Sequence, residues 1–247
     1  MKKTAIITGG GRGIGRGCAH ELCRQGCDIV LVDLIPADLA RTKAEIEDMG
    51  ATCRTFVADV ADFARAHDIV AEVEAETGPV AVLVNNAGKS NTNGITEITE
   101  DSFDRTIAIN LKGAFNWTHA VAPGMMKAKQ GRIVMMSSLN AHSGGVTSAI
   151  SKFSYTTAKA GLLGMTKALA KEMAPHVLVN AVCPGVIETE SSNDMIRARK
   201  DELVRGISLG RTGTPADVAQ VVAFLALSEP CFVTGQDVKI DGLQWIS

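Results

Sequence analysis

Tyr155, the only tyrosine in the chain, stands four residues ahead of Lys159 in the run Tyr155-Thr156-Thr157-Ala158-Lys159. Four residues is just over one helical turn, so on a helix both side chains leave the same face. A phenol alone is a poor acid or base near neutrality, because its pKa lies roughly three units too high. An ammonium held beside it favours the phenolate and draws that pKa toward the working range. The pair is thus a candidate for proton transfer. The same spacing also describes a surface tyrosine beside a solvated lysine, and the rest of the chain decides between the two.

A second constellation lies near the N-terminus, where an aliphatic run leads into Thr8-Gly9-Gly10-Gly11-Arg12-Gly13-Ile14-Gly15 and then an amphipathic stretch. Glycines at such a strand-to-helix turn let the backbone bend tightly and approach a pyrophosphate, which rests on the free N–H groups of the helix. The spacing is TGxxxGxG, with Gly9, Gly13 and Gly15 as its fixed points, and it departs from the strict GxGxxG fingerprint. Asp33 closes the next aliphatic run, eighteen residues beyond Gly15, and Leu34 follows it. A carboxylate there can accept both hydroxyls of an adenosine ribose and repels a 2′-phosphate. Arg12 argues the other way, since a cation in the glycine loop can pair with that phosphate. The carboxylate sits nearest the discriminating hydroxyl, so NAD is expected over NADP.

These residues must be positioned by an alternation of short apolar runs and amphipathic stretches. Strands are expected at Thr4–Thr8, Asp28–Asp33, Thr52–Val57, Val80–Asn85, Arg132–Ser137, Val177–Val182 and Asp237–Ile240. Helices are expected at about Ile14–Gln25, Pro36–Met49, Glu100–Lys127, Ser154–Met173 and Pro215–Leu227. The first, second, fourth and sixth strands are continuous aliphatic runs, as befits a sheet covered on both faces. The fold class is therefore α/β, a doubly wound seven-stranded parallel sheet with right-handed crossovers, binding ligands beyond the carboxyl ends of its strands.

At 247 residues, 46% of them apolar, the chain fits one large domain spanning 1–247. A net charge of −2 gives no footprint for nucleic acid or an anionic membrane. The apolar run behind Met1-Lys2-Lys3 is too short for a signal peptide or a membrane span, which points to a cytoplasmic protein. The six cysteines form no CxxC and the five histidines no HxH or HxxxH, so the thiols read as reduced packing residues and no metal site is expected.

Together these residues resemble the short-chain dehydrogenase/reductase family, over essentially the whole chain. Beyond TGxxxGxG and YxxxK, the family-like motifs are Asp59-Val60, Asn85-Asn86-Ala87-Gly88, Asn110-Leu111-Lys112-Gly113, Ser138 and Pro184-Gly185, with Ile187 and Thr189 beyond the last. The resemblance implies a Rossmann-like fold and an enzyme that interconverts a secondary alcohol and a ketone. Tyr155 is then the general acid or base. Lys159 lowers its pKa and bonds the nicotinamide ribose, Ser138 bonds the substrate oxygen, and Asn110 holds a water that completes a proton relay. Gly9, Arg12, Gly13, Ile14 and Gly15 are implied at the pyrophosphate, Asp33 at the ribose, and Asp59 and Val60 at the adenine. Asn86, Ala87 and Gly88 line the cleft. Pro184, Gly185, Ile187 and Thr189 join Tyr155 and Lys159 at the nicotinamide. The resemblance also implies a homotetramer paired through the fourth and fifth long helices, where Ala108, Ala114, Ala120, Ala160, Gly164 and Ala168 are small enough for close packing.

Some positions depart from the family pattern. Ser138 lies seventeen residues before Tyr155, farther than usual, whereas Ser143 is closer. Ser138 has the expected context at a strand end, so the excess reads as an insertion within Val146–Ser154, either reshaping the pocket or making a surface excursion. Lys89-Ser90-Asn91-Thr92-Asn93 is polar where relatives are commonly aliphatic, which fits either a solvated loop or a polar substrate such as a polyol, sugar or hydroxy acid. Lys89, Asn140 and His142 are its candidate contacts. The segment Glu190–Ser208, with Arg197, Arg199, Lys200 and Arg205, occupies the place of a substrate loop. Two rivals stand beside this reading. One is an NADPH-dependent 3-oxoacyl-carrier-protein reductase, opposed by Asp33. The other is a non-catalytic cofactor sensor, which is expected to have lost at least one of Asn110, Ser138, Tyr155 and Lys159; all four are present.

Overall fold

The computed structural model describes residues 2–145, 150–190 and 198–246. Seven parallel strands form one sheet in the order β3-β2-β1-β4-β5-β6-β7. They are β1 (Thr4–Thr8), β2 (Asp28–Asp33), β3 (Cys53–Val57), β4 (Val82–Asn85), β5 (Gly131–Met136), β6 (Val177–Pro184) and β7 (Asp237–Ile240). The helices are α1 (Gly13–Arg24), α2 (Pro36–Asp48), α3 (Phe63–Thr77), α4 (Glu100–Ile107), α5 (Gly113–Ala128), α6 (Asn140–Ser143), α7 (Phe153–Glu172), α8 (Lys200–Arg205) and α9 (Pro215–Leu227).

All five residues of β1 are buried, because both faces of this central strand are covered. Alternate residues feed two cores. Ile6, Leu83, Ile133 and Val179 join Trp117 of α5 and Leu162 of α7 on one face. Ile7, Leu31, Val84 and Val182 join Leu22 of α1 and Val222 of α9 on the other. The chain leaves β1 for β2 on one side and reaches β4 on the other, with Ile6 beside both Val30 and Leu83. The carboxyl ends of β1 and β4 therefore part at a topological switch point, where open α/β sheets form their ligand crevice.

The helix ends follow their sequence signals. Asp62 caps α3 through the Arg65 N–H, Thr99 caps α4 through the Ser102 N–H, and Thr214 with Asp217 forms a capping box ahead of α9.

The stretch expected as one helix over Glu100–Lys127 is interrupted by a π-helical turn at Ala108–Lys112. The cause is Asn110, whose Nδ2 donates to the Thr106 carbonyl at 3.0 Å, taking the acceptor that its own backbone N–H would use in an α-helix. Gly113 N–H then reaches back five residues to the Ala108 carbonyl.

Candidate active site

A cleft opens above the carboxyl ends of the strands. Its larger part, about 530 Å³, runs from the glycine loop past Asp33 to Asp59 and Val60. A second part, about 330 Å³, is walled by Ser138, Tyr155, Lys159, Pro184, Gly185 and Ile187. Ile14, Asn86, Gly88, Lys89 and Thr189 border both, so the two are continuous.

The phosphate end is built by close backbone approach. A Cβ on Gly15 would lie 2.0 Å from the Gly9 carbonyl oxygen and 2.6 Å from Asn86 Nδ2, so no side chain fits where α1 crosses β1. Gly9 and Gly13 hold φ of +63° and +56°, the left-handed region that favours glycine. Asn86 locks this loop to β4: its Nδ2 donates to the Thr8 and Gly9 carbonyls at 2.9 and 3.0 Å, and Thr8 Oγ1 accepts from the Asn86 and Ala87 N–H groups. A glycine-rich, positively polarised loop at a helix start fits a pyrophosphate.

Glu190, which nothing in the sequence marks for this place, already lies at that start. Its Oε2 accepts from Gly13 N–H at 3.0 Å and its Oε1 from Arg16 Nη1 at 2.8 Å. Burial works upward on this carboxyl, yet its own backbone N–H, the Gly13 N–H and Arg16 outweigh it and hold the group below its usual range.

At the adenosine end, Asp33 Oδ2 accepts from Gly11 N–H at 3.1 Å and Oδ1 from Leu34 N–H at 2.7 Å. The carboxylate is thereby fixed facing the glycine loop, with acceptor capacity left for ribose hydroxyls. Arg12 borders the same space, with its Nε 3.8 Å from Asp38 Oδ2. Asp59 is tied to Arg105 Nη2 at 2.6 Å and to Ala61 N–H at 2.9 Å. Burial is the largest influence on its carboxyl and pushes upward, but those bonds prevail and keep it low.

Tyr155 and Lys159 lie on the first turns of α7, as their spacing requires. Burial raises the Tyr155 phenol above its ordinary value, and its hydrogen bond with Ser138 acts in the opposite sense. Burial also lowers the Lys159 ammonium to about 8. Its Nζ donates to the Met136 carbonyl at 2.7 Å and lies 5.6 Å from the centre of the Tyr155 ring. The net shift of the phenol is upward, because burial dominates it.

Ser138 borders the cleft, with its Oγ accepting from Asn140 N–H at 3.2 Å. Ser137 and Ser143 are spent elsewhere, donating to the Lys159 and Leu139 carbonyls.

Asn110 is buried, and both ends of its amide are engaged. Oδ1 accepts from Lys89 N–H at 3.1 Å, and Nδ2 donates to the Lys89 carbonyl as well as to Thr106. A Cβ on Gly88 would meet Asn110 Oδ1 at 2.8 Å and Lys159 Nζ at 3.3 Å, so both groups of the expected relay pack close to Gly88.

The candidate substrate contacts separate. Lys89 is exposed at the junction of the two parts of the cleft. Asn140 and His142 border neither part, because α6 turns them aside: His142 Nε2 lies 2.8 Å from Asp237 Oδ2 on β7. The polar stretch after Gly88 is anchored by Asn91, whose Nδ2 donates to Thr106 Oγ1 at 2.7 Å and Ser102 Oγ at 3.0 Å. Its carbonyl accepts from Lys152 N–H at 2.8 Å, which joins the segment ahead of Tyr155 to the same wall. Residues 146–149 of the expected insertion, and 191–197 of the expected substrate loop with Arg197, lie outside the described residues.

The cysteines are free thiols, five of them buried. Three ligand-type side chains, His142, Cys183 and Asp237, nevertheless meet from distant parts of the chain, which sequence spacing does not reveal.

A family model described as enoyl-(acyl carrier protein) reductase matches residues 9–242. Fold, cleft and match agree: the chain belongs to the short-chain dehydrogenase/reductase family of oxidoreductases. Among its relatives, oxidoreductase UcpA of Salmonella typhimurium is 37% identical, covering 97% of this chain and 93% of the relative. The 3-oxoacyl-acyl-carrier-protein reductase FabG of Thermotoga maritima is 36% identical, covering 97% and 96%. The crystal structure of gox2181 superimposes with a TM-score of 0.92 at 31% identity, covering 98% of this chain and 95% of that one.

Proposed function

We propose that the chain interconverts a secondary alcohol and the matching ketone with NAD(H), acting on a small, polar substrate. The observation that carries this reading is the continuity of the cleft, which joins Ser138, Tyr155 and Lys159 at one end to the glycine loop and Asp33 at the other. NAD(H), when bound, supplies or accepts the hydride. Gly9, Gly13, Ile14 and Gly15 hold the pyrophosphate, Asp33 accepts from the adenosine ribose, and Asp59 and Val60 flank the adenine. Pro184, Gly185, Ile187 and Thr189 border the nicotinamide.

In the reducing direction Tyr155 donates its phenolic proton to the carbonyl oxygen, and Ser138 donates a hydrogen bond to the same oxygen as it gains charge. A phenol is protonated near neutrality at its ordinary value, and burial shifts it further that way. Lys159 bonds the nicotinamide ribose, and Asn110 holds a water that links Lys159 to solvent, through which the proton is replaced. Lys89 at the junction favours a polar or anionic substrate.

Two observations favour a second reading, reduction of a 3-oxoacyl thioester with NADPH. Arg12 borders the cofactor space, and one relative is named as a 3-oxoacyl-carrier-protein reductase. Nicotinamide absorbance followed with NAD and NADP across polyols, hydroxy acids and 3-hydroxyacyl thioesters separates the two. Turnover of a polar alcohol with NAD supports the first reading, and turnover of thioesters with NADP replaces it.

The proposal extends to a cytoplasmic homotetramer. Ala160, Gly164 and Ala168 lie exposed along one edge of α7, in support of close helix pairing there. Ala114 and Ala120 are turned into the subunit's own core and cannot serve it. No helix among the described residues is long and apolar enough to cross a membrane.

A further inference from the structure

Two guanidinium groups flank the glycine loop, Arg12 bordering the same space as Asp33 and Arg41 bonded to the Gly11 carbonyl, and one carboxylate answers both. Asp38, in the first turn of α2, has a side chain only 15% exposed. Its Oδ2 lies 3.8 Å from Arg12 Nε, and its Oδ1 lies 3.0 Å from Arg41 Nη2. Arg41 is further fixed by donating to the Gly11 carbonyl at 3.2 Å. Gly11 is the meeting point of the cluster: a Cβ there would lie 3.0 Å from Asp38 Cβ and 3.1 Å from Asp33 Oδ2. The Asp33 carboxylate and the stem of the Asp38 side chain thus both close on one glycine of the phosphate loop.

We propose that Asp38 is a second selector of the cofactor, masking Arg12 and Arg41 so that neither can recruit a 2′-phosphate. The inference rests on the reading of Asp33 as the ribose acceptor and adds a separate element to it. Asp33 repels the phosphate directly, whereas Asp38 withholds the cations that would compensate. Its charge also screens the two arginines from each other, which lets both stay near the loop. Without it, the same loop presents two forked donors of the kind that grip phosphate.

The test is Asp38→Asn, which keeps the shape of the side chain and removes its charge. Dissociation constants for NADH and NADPH are measured by nicotinamide fluorescence in wild type, D38N and D38N/R41Q, with thermal melting as a check on folding. Wild type is expected to bind NADH more tightly. D38N is expected to gain about tenfold for NADPH while NADH changes little, and D38N/R41Q to lose much of that gain. An unchanged NADPH-to-NADH ratio in a folded D38N, or equal weakening of both, overturns the role of Asp38 and leaves that of Asp33 standing. A wild type that prefers NADPH overturns the Asp33 reading itself, and the masking role with it.

Discussion

Burial acts on Tyr155 and Lys159 in opposite directions, lifting the phenol and lowering the ammonium to about 8. Both shifts favour the neutral form, as removal from water must. The Lys159 charge is present below about pH 8 and is lost as pH rises through that value. A charged donor bonds ribose hydroxyls more strongly than a neutral amine, so NADH affinity is expected to fall roughly tenfold between pH 7 and 9.5. Lys159→Met should flatten that profile, and an unchanged inflection in the variant would assign it to another group. Ser138→Ala is expected to lower kcat about 100-fold, whereas Ser143→Ala should leave it nearly unchanged, because Ser143 Oγ is spent on the Leu139 carbonyl. Comparable losses in initial-rate assays of the two variants would contradict the choice of Ser138. At this scale the sequence shows the Tyr–Lys spacing, the glycines and Asp33, all of which are local. It does not show that His142 faces Asp237, a partner 95 residues away, or that Asp38 lies between two arginines across the glycine loop.

Elements decide how these groups are presented. The alternation of short apolar runs with amphipathic stretches made the seven strands legible, the first, second, fourth and sixth of them as continuous aliphatic runs. The π-helical turn at Ala108–Lys112 escaped because apolar periodicity registers which face is buried and not which carbonyl a side-chain amide takes. The crossing of α1 over β1 leaves no room at Gly15. Gly15→Ala is therefore expected to lower the melting temperature by roughly 2–12 °C and to abolish cofactor binding; a variant with unchanged melting would contradict that contact. Glu190 places a carboxylate on Gly13 N–H, where the pyrophosphate is proposed to bind. Glu190→Gln removes the competing charge and is expected to tighten NADH binding severalfold. Weaker binding in this variant would show that Glu190 supports the loop instead of competing for it.

Across the whole molecule, the buried thiols make the fold sensitive to alkali. Burial lifts Cys18 and Cys53 to about 12 and Cys27 and Cys183 to about 11, from an ordinary value of 9.0. Each raised group contributes stability that is complete below about 9 and is lost as pH rises through 9 toward its folded value. Lys159 works in the opposite sense between about 8 and 10.5, against these four thiols and against Cys23 and Tyr155, which burial also raises. The melting temperature is expected to be at least roughly 5 °C lower at pH 10 than at pH 8, and a flat profile would contradict it. Subunit assembly belongs to the same scale. Light scattering should report four subunits, and a monomer would remove the exposed edge of α7 as an interface.

The central claim is that one phenol carries the proton for a hydride transfer, and Tyr155→Phe tests it most directly. Initial rates followed by nicotinamide absorbance, with NAD and the best polar alcohol, are compared with the NADH dissociation constant of the same variant. The account predicts a fall in kcat of about 10²- to 10⁴-fold with cofactor affinity largely kept. Substantial residual turnover by a folded, cofactor-binding Tyr155→Phe protein would contradict it.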